Sequence, residues 1–415
     1  MPQTRNRVVV TGLGAITPVG HDVDTYWNAL LAGKSGAAKI TKFDVTGHSV
    51  TFGSEVKGFE PSVHIDAKEA KRMDPFAQYA VAAAKQAVKD AGIDFQKFDR
   101  FRCGAIIASG IGGLNELQEQ HQKYMEKGPG RTSPFFVPKL MLNAAAGHIA
   151  IAFGLGGPNW GVASACASAN HAMGTALRTI QYGDADVMLT GGSEAALTYL
   201  SLSGFANMGA LSSRNDAPEK ASRPFDKNRD GFVLGEGAAI LVFEKLEHAQ
   251  ARGAKIYAEV LGIGNSDDAY HITAPDPDGT GGAYAMKQAL KDAGLRPEQI
   301  SYINAHGTST PLNDKIETIA IKKTFGAAAM KIPVSSTKSM IGHLLGAAAA
   351  VELVAAILSI RDGVVHATIN HETPDPECDL DCVPNEKRKV AVEYAMSNSL
   401  GFGGHNSAIV VGRYR

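Results

Sequence analysis

The chain has 415 residues, 44% of them hydrophobic, enough to bury a large core as two or three domains or as one large duplicated one. Its 41 Lys and Arg against 42 Asp and Glu leave a net charge of −1, which excludes a global electrostatic drive toward nucleic acid or an anionic membrane. A charged partner must therefore be held by a local patch.

The N-terminal stretch MPQTRNRVVVTGLG enters an apolar strand over Val8–Val10 at once, with neither a signal-peptide core nor a transit segment ahead of it. Gly12 and Gly14 of TGLGAITPVG open like a dinucleotide-binding turn. Thr17 stands where the third glycine is needed, however, and Pro18 breaks the helix that should follow, so nicotinamide chemistry is not expected. In DAKEAKRMD, Lys68, Lys71 and Arg72 stand at i, i+3 and i+4 and share one side if the segment is helical.

Helical patterns follow over Asp74–Ala91, Ser168–Tyr182, Gly282–Ala293 and Leu345–Arg361. Strands are predicted at Cys103–Ala108, Val187–Thr190, Ala238–Phe243, Tyr257–Gly262, Tyr302–Ala305, Ile332–Ser335 and Ser407–Val411. The composition is α/β. A charged helical passage, Lys245–Lys255, divides the chain into residues 1–254 and 255–415. The longest apolar stretch, Gly346–Ile360, is interrupted by Glu352 and falls short of the ~20 residues a bilayer span needs, so a soluble protein is expected. Four scattered cysteines, Cys103, Cys166, Cys378 and Cys382, suit a reducing cytoplasm. Cys378 and Cys382 lack a second pair at zinc-like spacing, and no metal site is expected there.

The two halves repeat one device. Trp160–Ser164 leads through Cys166 into ASANHAMGTALRTIQYGDA; Pro333–Ser336 leads through Lys338 and His343 into GAAAAVELVAAILSIRDG. Each is strand, tight turn and a helix with almost no polar face, which predicts two buried helices packed near the centre of a duplicated fold. A thiol at such a helix start has its pKa lowered and its thiolate favoured. By position alone Cys166 fits a nucleophile and a buried structural cysteine equally. His306, in NAHGTSTPLNDKIE, and His343, in STKSMIGHLLGA, occupy turns of the other half; Asp314 and Glu317 are spaced as a helix capping box.

SACAS around Cys166, HGTST at His306, STKSMIGHLLGAAAAVE around Lys338 and His343, and NSLGFGGHN around Phe402 resemble the signature blocks of the β-ketoacyl-acyl carrier protein synthases, the condensing enzymes of fatty acid synthesis. The resemblance implies a thiolase-like fold of five layers, αβαβα, with two similar halves, and a homodimer. It implies an acyltransferase that holds an acyl chain on Cys166 and condenses it with malonyl carrier protein, so that acyl- and malonyl-loaded acyl carrier protein are the partners and no cofactor is needed. His306 and His343 would stabilise the enolate, and Lys338 with Glu352 would support them. The backbone N–H groups of Cys166 and Phe402 would form the oxyanion hole. Thr308 and Thr310, like Glu352, would be supporting residues of the site. Ile111, Phe205 and Phe402 would line the acyl tunnel, Phe402 gating it on a loop that Gly401 and Gly403 make flexible. Lys68, Lys71 and Arg72 would dock the carrier protein, although an arginine the family often employs is here Gly209. No catalytic metal is implied, but a structural cation near Asn304, Glu352, Ser397 and Asn398 is. Ala167 and His405 depart from the family's usual Ser or Thr and Thr.

Other readings fare less well. The neighbourhood typical of a papain-like hydrolase is absent around Cys166, and a non-catalytic chain-length partner would lack the nucleophile. Inside the family, a type 1 carrier-protein synthase and a free-standing polyketide ketosynthase remain open, and a plain acyl-binding protein requires an inert Cys-His-His set.

Overall fold

The computed structural model describes residues 5–415. Ten principal strands carry the fold: β1 Val8–Ile16, β2 Cys103–Ala108, β3 Asn159–Val162, β4 Val187–Glu194, β5 Gly237–Lys245, β6 Ala258–Asp267, β7 Tyr302–Asn304, β8 Val334–Ser335, β9 Tyr394–Gly401 and β10 His405–Gly412. Across the sheet they run β8-β7-β9-β10-β6-β1-β5-β4-β2-β3. Read from each edge inward, both halves have the same order: third strand, second, fourth, fifth, first. The halves meet where β1 pairs antiparallel with β6, Val8 opposite Val260 and Val10 opposite Ala258.

Six helices make the other layers. α1 Pro75–Ala91 and α2 Ala144–Phe153 cover the outer face of the first half, α4 Thr280–Ala293 covers β6 and β10 with α5 Pro311–Phe325 beside it, and α3 Ser168–Gln181 and α6 Ala348–Asp362 lie between the half-sheets, touching both. The result is the five-layered αβαβα fold. In α6 every residue from Ala348 to Ile360 is buried, Glu352 included. A helix without a polar face is stable only when both sides are covered, which is why the longest apolar stretch becomes the middle layer. The largest apolar cluster spans both halves and includes Met173, Phe243, Ile357 and Ile409. Among the described residues, no helix is long and apolar enough to cross a membrane.

Several elements differ from their predicted extents. β1, β4 and β6 run on through polar and glycine-containing ends to Ile16, Glu194 and Asp267. β8 keeps only Val334 and Ser335, and Leu345–Ala347 is a 3₁₀ turn ahead of α6. Asp314 and Glu317 do not form a capping box: both lie inside α5, whose N-cap is Thr310. The segment around Lys68 is one helical turn, Ala67–Ala70, capped by Asp66.

The glycines of TGLG serve packing. A β-carbon on Gly14 would stand 1.9 Å from the Ala83 carbonyl oxygen of α1. Gly14→Val should therefore lower stability by about 1–3 kcal/mol, the usual cost of overpacking, read as a lower urea midpoint at unchanged slope. An unchanged midpoint would show that α1 does not pack against β1 at this distance.

Candidate active site

The chain leaves β3 and turns at Ala165, whose φ of +48° lies in the left-handed region. That turn presents Cys166 two residues before α3 begins, and Ser399 Oγ donates to the Cys166 carbonyl at 2.7 Å, tying the nucleophile turn to β9. Gly401 follows on the same strand. A β-carbon there would come within 3.2 Å of the Cys166 nitrogen, so the glycine lets this backbone lie against the turn.

The second half delivers two histidines. His343 Nε2 stands 3.0 Å from Cys166 Sγ, and the Leu345 N–H donates to His343 Nδ1 at 3.2 Å. Since Nδ1 accepts, the neutral ring carries its proton on Nε2. Lys338 Nζ lies 3.3 Å from His306 Nδ1, donates to the His306 carbonyl at 2.7 Å and to Glu352 Oε1 at 2.5 Å. An ammonium can only donate. His306 Nδ1 is therefore also an acceptor, and its N–H is on Nε2 as well. One side-chain nitrogen of each histidine and the Cys166 sulfur lie within 4.8 Å of one another. Cys-His-His is also a zinc-like donor set, but both Nε2 lone pairs are occupied by protons.

Burial pushes both histidines well below the ordinary imidazole range, and Lys338 pushes them further. Both are thereby held in the neutral form. Burial also raises the Cys166 thiol to about 11, against the opposing effects of Lys338 and the Phe402 N–H. This reverses the expectation of a lowered thiol pKa: the desolvation of an enclosed sulfur outweighs a helix start two residues away.

A cavity of about 450 Å³ opens on these groups. Ile111, Phe205, Phe402 and Gly401 line it, and so do Thr308 and Thr310, whose hydroxyls are 2.9 Å apart; Gly403 is not among its lining residues. Gly209 is at the same wall, with φ +72°. Of the basic triad, Lys68 and Lys71 are exposed, whereas Arg72 is bonded to Glu69 at 3.0 Å and stacked over Phe135.

Buried oxygens without donors mark a second place. Asn304 Oδ1, Glu352 Oε2, Ser397 Oγ and Asn398 Oδ1 all lack a hydrogen-bond partner. Ser397 is the register partner of Asn304, so their side chains share the face on which α6 packs with Glu352. Asn398 turns to the other face, its amide nitrogen donating to Glu317 and facing the Met286 sulfur. Three of the four side-chain oxygens thus share one face.

Three further residues belong to the site. Glu317 accepts from the His306 and Gly307 N–H groups at 2.8 Å each and fixes the His306 turn. Glu194, fully buried, accepts from Ser109 Oγ, Gly110 N, Ile111 N and Gly346 N, joining the cavity wall to the turn after His343. Phe232 lies edge-on between Phe205 and His343. A carboxylate closing the buried run VMLTGGSE was the available signal for Glu194, since such a group is almost never buried unpaired.

A duplicated five-layer fold with a thiol and two neutral imidazole donors around one cavity defines a condensing enzyme. Residues 5–249 match the description "Beta-ketoacyl synthase, N-terminal domain" and residues 257–372 match "Beta-ketoacyl synthase, C-terminal domain". The chain is 53% identical over 408 residues to a Staphylococcus aureus protein named 3-oxoacyl-[acyl-carrier-protein] synthase 2, covering 98% of both chains. It is 52% identical over 411 residues to the Synechocystis protein of the same name, covering 99% of both. Among solved structures, a β-ketoacyl synthase from Burkholderia phymatum superposes with a TM-score of 0.92 at 35% identity, covering 99% of this chain and 100% of that one. A type II polyketide ketosynthase in complex with its acyl-carrier protein also gives 0.92, at 38% identity and the same coverage. The chain belongs to the β-ketoacyl synthase family.

The raised thiol pKa has a direct readout. Thiolate at pH 8 is on the order of one part in a thousand for a pKa near 11, so iodoacetamide alkylation of Cys166 should climb about tenfold per pH unit from pH 8 to 10. A rate already flat above pH 7 would mean a resting thiolate.

Proposed function

We propose that this protein elongates fatty acyl chains in the cytoplasm, as a synthase of the type 2 kind, by condensing an acyl group held on Cys166 with malonyl-acyl carrier protein to give 3-oxoacyl-acyl carrier protein. The observation that carries the reading is the pair of imidazoles locked as Nε2–H donors beside Cys166 Sγ. The higher identity to the synthase 2 relatives, against 38% to the polyketide ketosynthase, favours the fatty acid pathway. We place the boundary between the halves at residues 254 and 255 and the working unit as a homodimer, with Lys68 and Lys71 supplying most of the carrier-docking charge, since Arg72 is engaged.

Cys166 attacks the acyl thioester; its proton passes to the departing carrier thiolate, and the acyl chain occupies the cavity beside Ile111 and Phe205. Malonyl carrier protein then enters near Thr308 and Thr310. The bond from its α-carbon to the carboxylate breaks, carbon dioxide leaves, and the electron pair moves onto the thioester oxygen, where the His306 and His343 N–H groups receive it. Neutral donors suit this task, because an enolate needs hydrogen bonds aimed at developing charge and no proton taken. The α-carbon attacks the acyl carbonyl. The oxyanion so formed lies against the backbone N–H groups of Cys166 and Phe402, whose N–H already faces the sulfur. Collapse expels the Cys166 thiolate, which takes a proton from solvent water.

Lys338 and Glu352 hold the donors in place. The buried oxygens of Asn304, Glu352 and Ser397 fit a cation, as three hard acceptors on one face that nothing else satisfies. Such an ion would supply fixed positive charge that keeps Glu352 ionised.

Cys166→Ala should abolish acyl labelling and condensation with the fold intact; label on Cys103, Cys378 or Cys382 would refute the nucleophile. His306→Ala and His343→Ala should each cut malonyl decarboxylation about 10²- to 10³-fold, the cost of one such donor, while slowing self-acylation far less. Equal loss of both half-reactions would instead indicate a histidine acting as base on the thiol. Lys71→Glu should raise the KM for acyl carrier protein and flatten its salt dependence at unchanged kcat. An unchanged KM would place the docking surface elsewhere.

A further inference from the structure

His366 is fully buried, takes no part in the chemistry above, and sits at the hub of a polar network beneath the site. Its Nδ1 faces the Ala367 carbonyl at 2.9 Å. No carboxylate is among its hydrogen-bond partners, and an uncompensated buried imidazolium is costly, so the ring is neutral with its proton on Nδ1. Its Nε2 then has only a lone pair. Three groups approach that lone pair: the Thr337 hydroxyl at 3.0 Å, the Tyr302 hydroxyl at 3.3 Å and the Asn304 side-chain amide at 3.4 Å.

The polarity of each neighbour follows. Thr337 gives its proton to His366 and so can only accept from Asn304, whose nitrogen lies 2.9 Å away; the Tyr302 oxygen likewise accepts from Asn304 at 3.0 Å. Turning the amide over would aim its oxygen at the imidazole lone pair. The Asn304 NH₂ must therefore face this network, and Oδ1 must face the opposite way, toward Ser397 Oγ and the α6 face that carries Glu352. There it has no donor.

We propose that His366 is a positioning residue that sets the direction of the Asn304 amide, and so fixes Asn304 Oδ1 as a cation ligand. This rests on the cation reading of Asn304, Glu352 and Ser397. Two neutral oxygens and one carboxylate already shared with Lys338 leave almost no net negative charge, which selects a monovalent ion over a divalent one.

The test uses the full-length enzyme in N-methylglucamine chloride, titrated with rubidium chloride and read as melting temperature, with the anomalous signal of rubidium in crystals as the direct measure of occupancy. Wild type should be stabilised by rubidium. His366→Phe, which removes the lone pair, should weaken the apparent rubidium affinity about 10- to 100-fold, as loss of an outer-shell partner does at other metal sites. His366→Gln, whose amide oxygen can accept from Thr337, should restore most of it. An unchanged rubidium response in folded His366→Phe would overturn the proposal while leaving the cation reading standing; no rubidium response in wild type would overturn both. If His366→Phe does not fold, the nitrogen-15 shifts of His366 in wild type decide, since a protonated Nε2 contradicts the relay and a bare Nε2 supports it.

Discussion

One ammonium group holds the site in its working state. Lys338 Nζ is buried against Glu352 Oε1, with the two side chains 1% and 0% exposed, and it donates to the His306 carbonyl as well. From this follow the acceptor role of His306 Nδ1, the placement of its N–H on Nε2, and part of the charge that keeps both imidazoles neutral. A buried pair of this kind contributes little net stability, but deleting one partner strands the other, at a cost of about 3–5 kcal/mol. The pair is retained because it fixes protons. Glu352, the lone charge in an otherwise apolar helical stretch, makes α6 both the structural middle of the molecule and the anchor of its chemistry.

Duplication explains how the parts converge. Each half presents the turn after its third strand toward the middle layer, where α3 and α6 lie side by side, so the residue after one turn meets those after the other. Cys166 comes from the first half and Lys338 and His343 from the matching place in the second. The copies have diverged in chemistry and not in geometry: one supplies the nucleophile, the other the hydrogen-bond donors. Glu194 crosses between them, bonding the β2 end of the cavity wall to Gly346, so cavity shape and histidine position are coupled through one carboxylate.

Much of this was legible in the sequence. The repeated strand-turn-helix device placed Cys166, Lys338 and His343 in equivalent turns, and the absence of a polar face on Leu345–Arg361 marked the middle layer. Where the structure departs from the sequence pattern, contacts distant in the chain decide. Asp314 and Glu317 have capping-box spacing, yet Glu317 serves the His306 turn across the top of α5, a partnership that no local pattern encodes. The place of Cys166 before a helix favours an acidic thiol, but burial of the sulfur outweighs it. The extensions of β1, β4 and β6 run through glycine and polar residues that local propensity assigns to loops, and pairing with neighbouring strands overrides that preference. His366 carried no sequence signal at all, since its neighbours Tyr302, Asn304 and Thr337 come from other strands and turns.

The central claim is that His306 and His343 act as neutral Nε2–H donors, fixed in that tautomer by Lys338 and by the Leu345 N–H. A neutron crystal structure of the deuterated enzyme reads this directly, ring by ring. The account predicts deuterium on Nε2 of both histidines, none on either Nδ1, and a fully deuterated Lys338 ammonium. Deuterium on His306 Nδ1 alone would leave a bare Nε2 with no proton to donate, and deuterium on both nitrogens of either ring would be an imidazolium paired with a Cys166 thiolate; either would contradict two neutral donors waiting for an enolate.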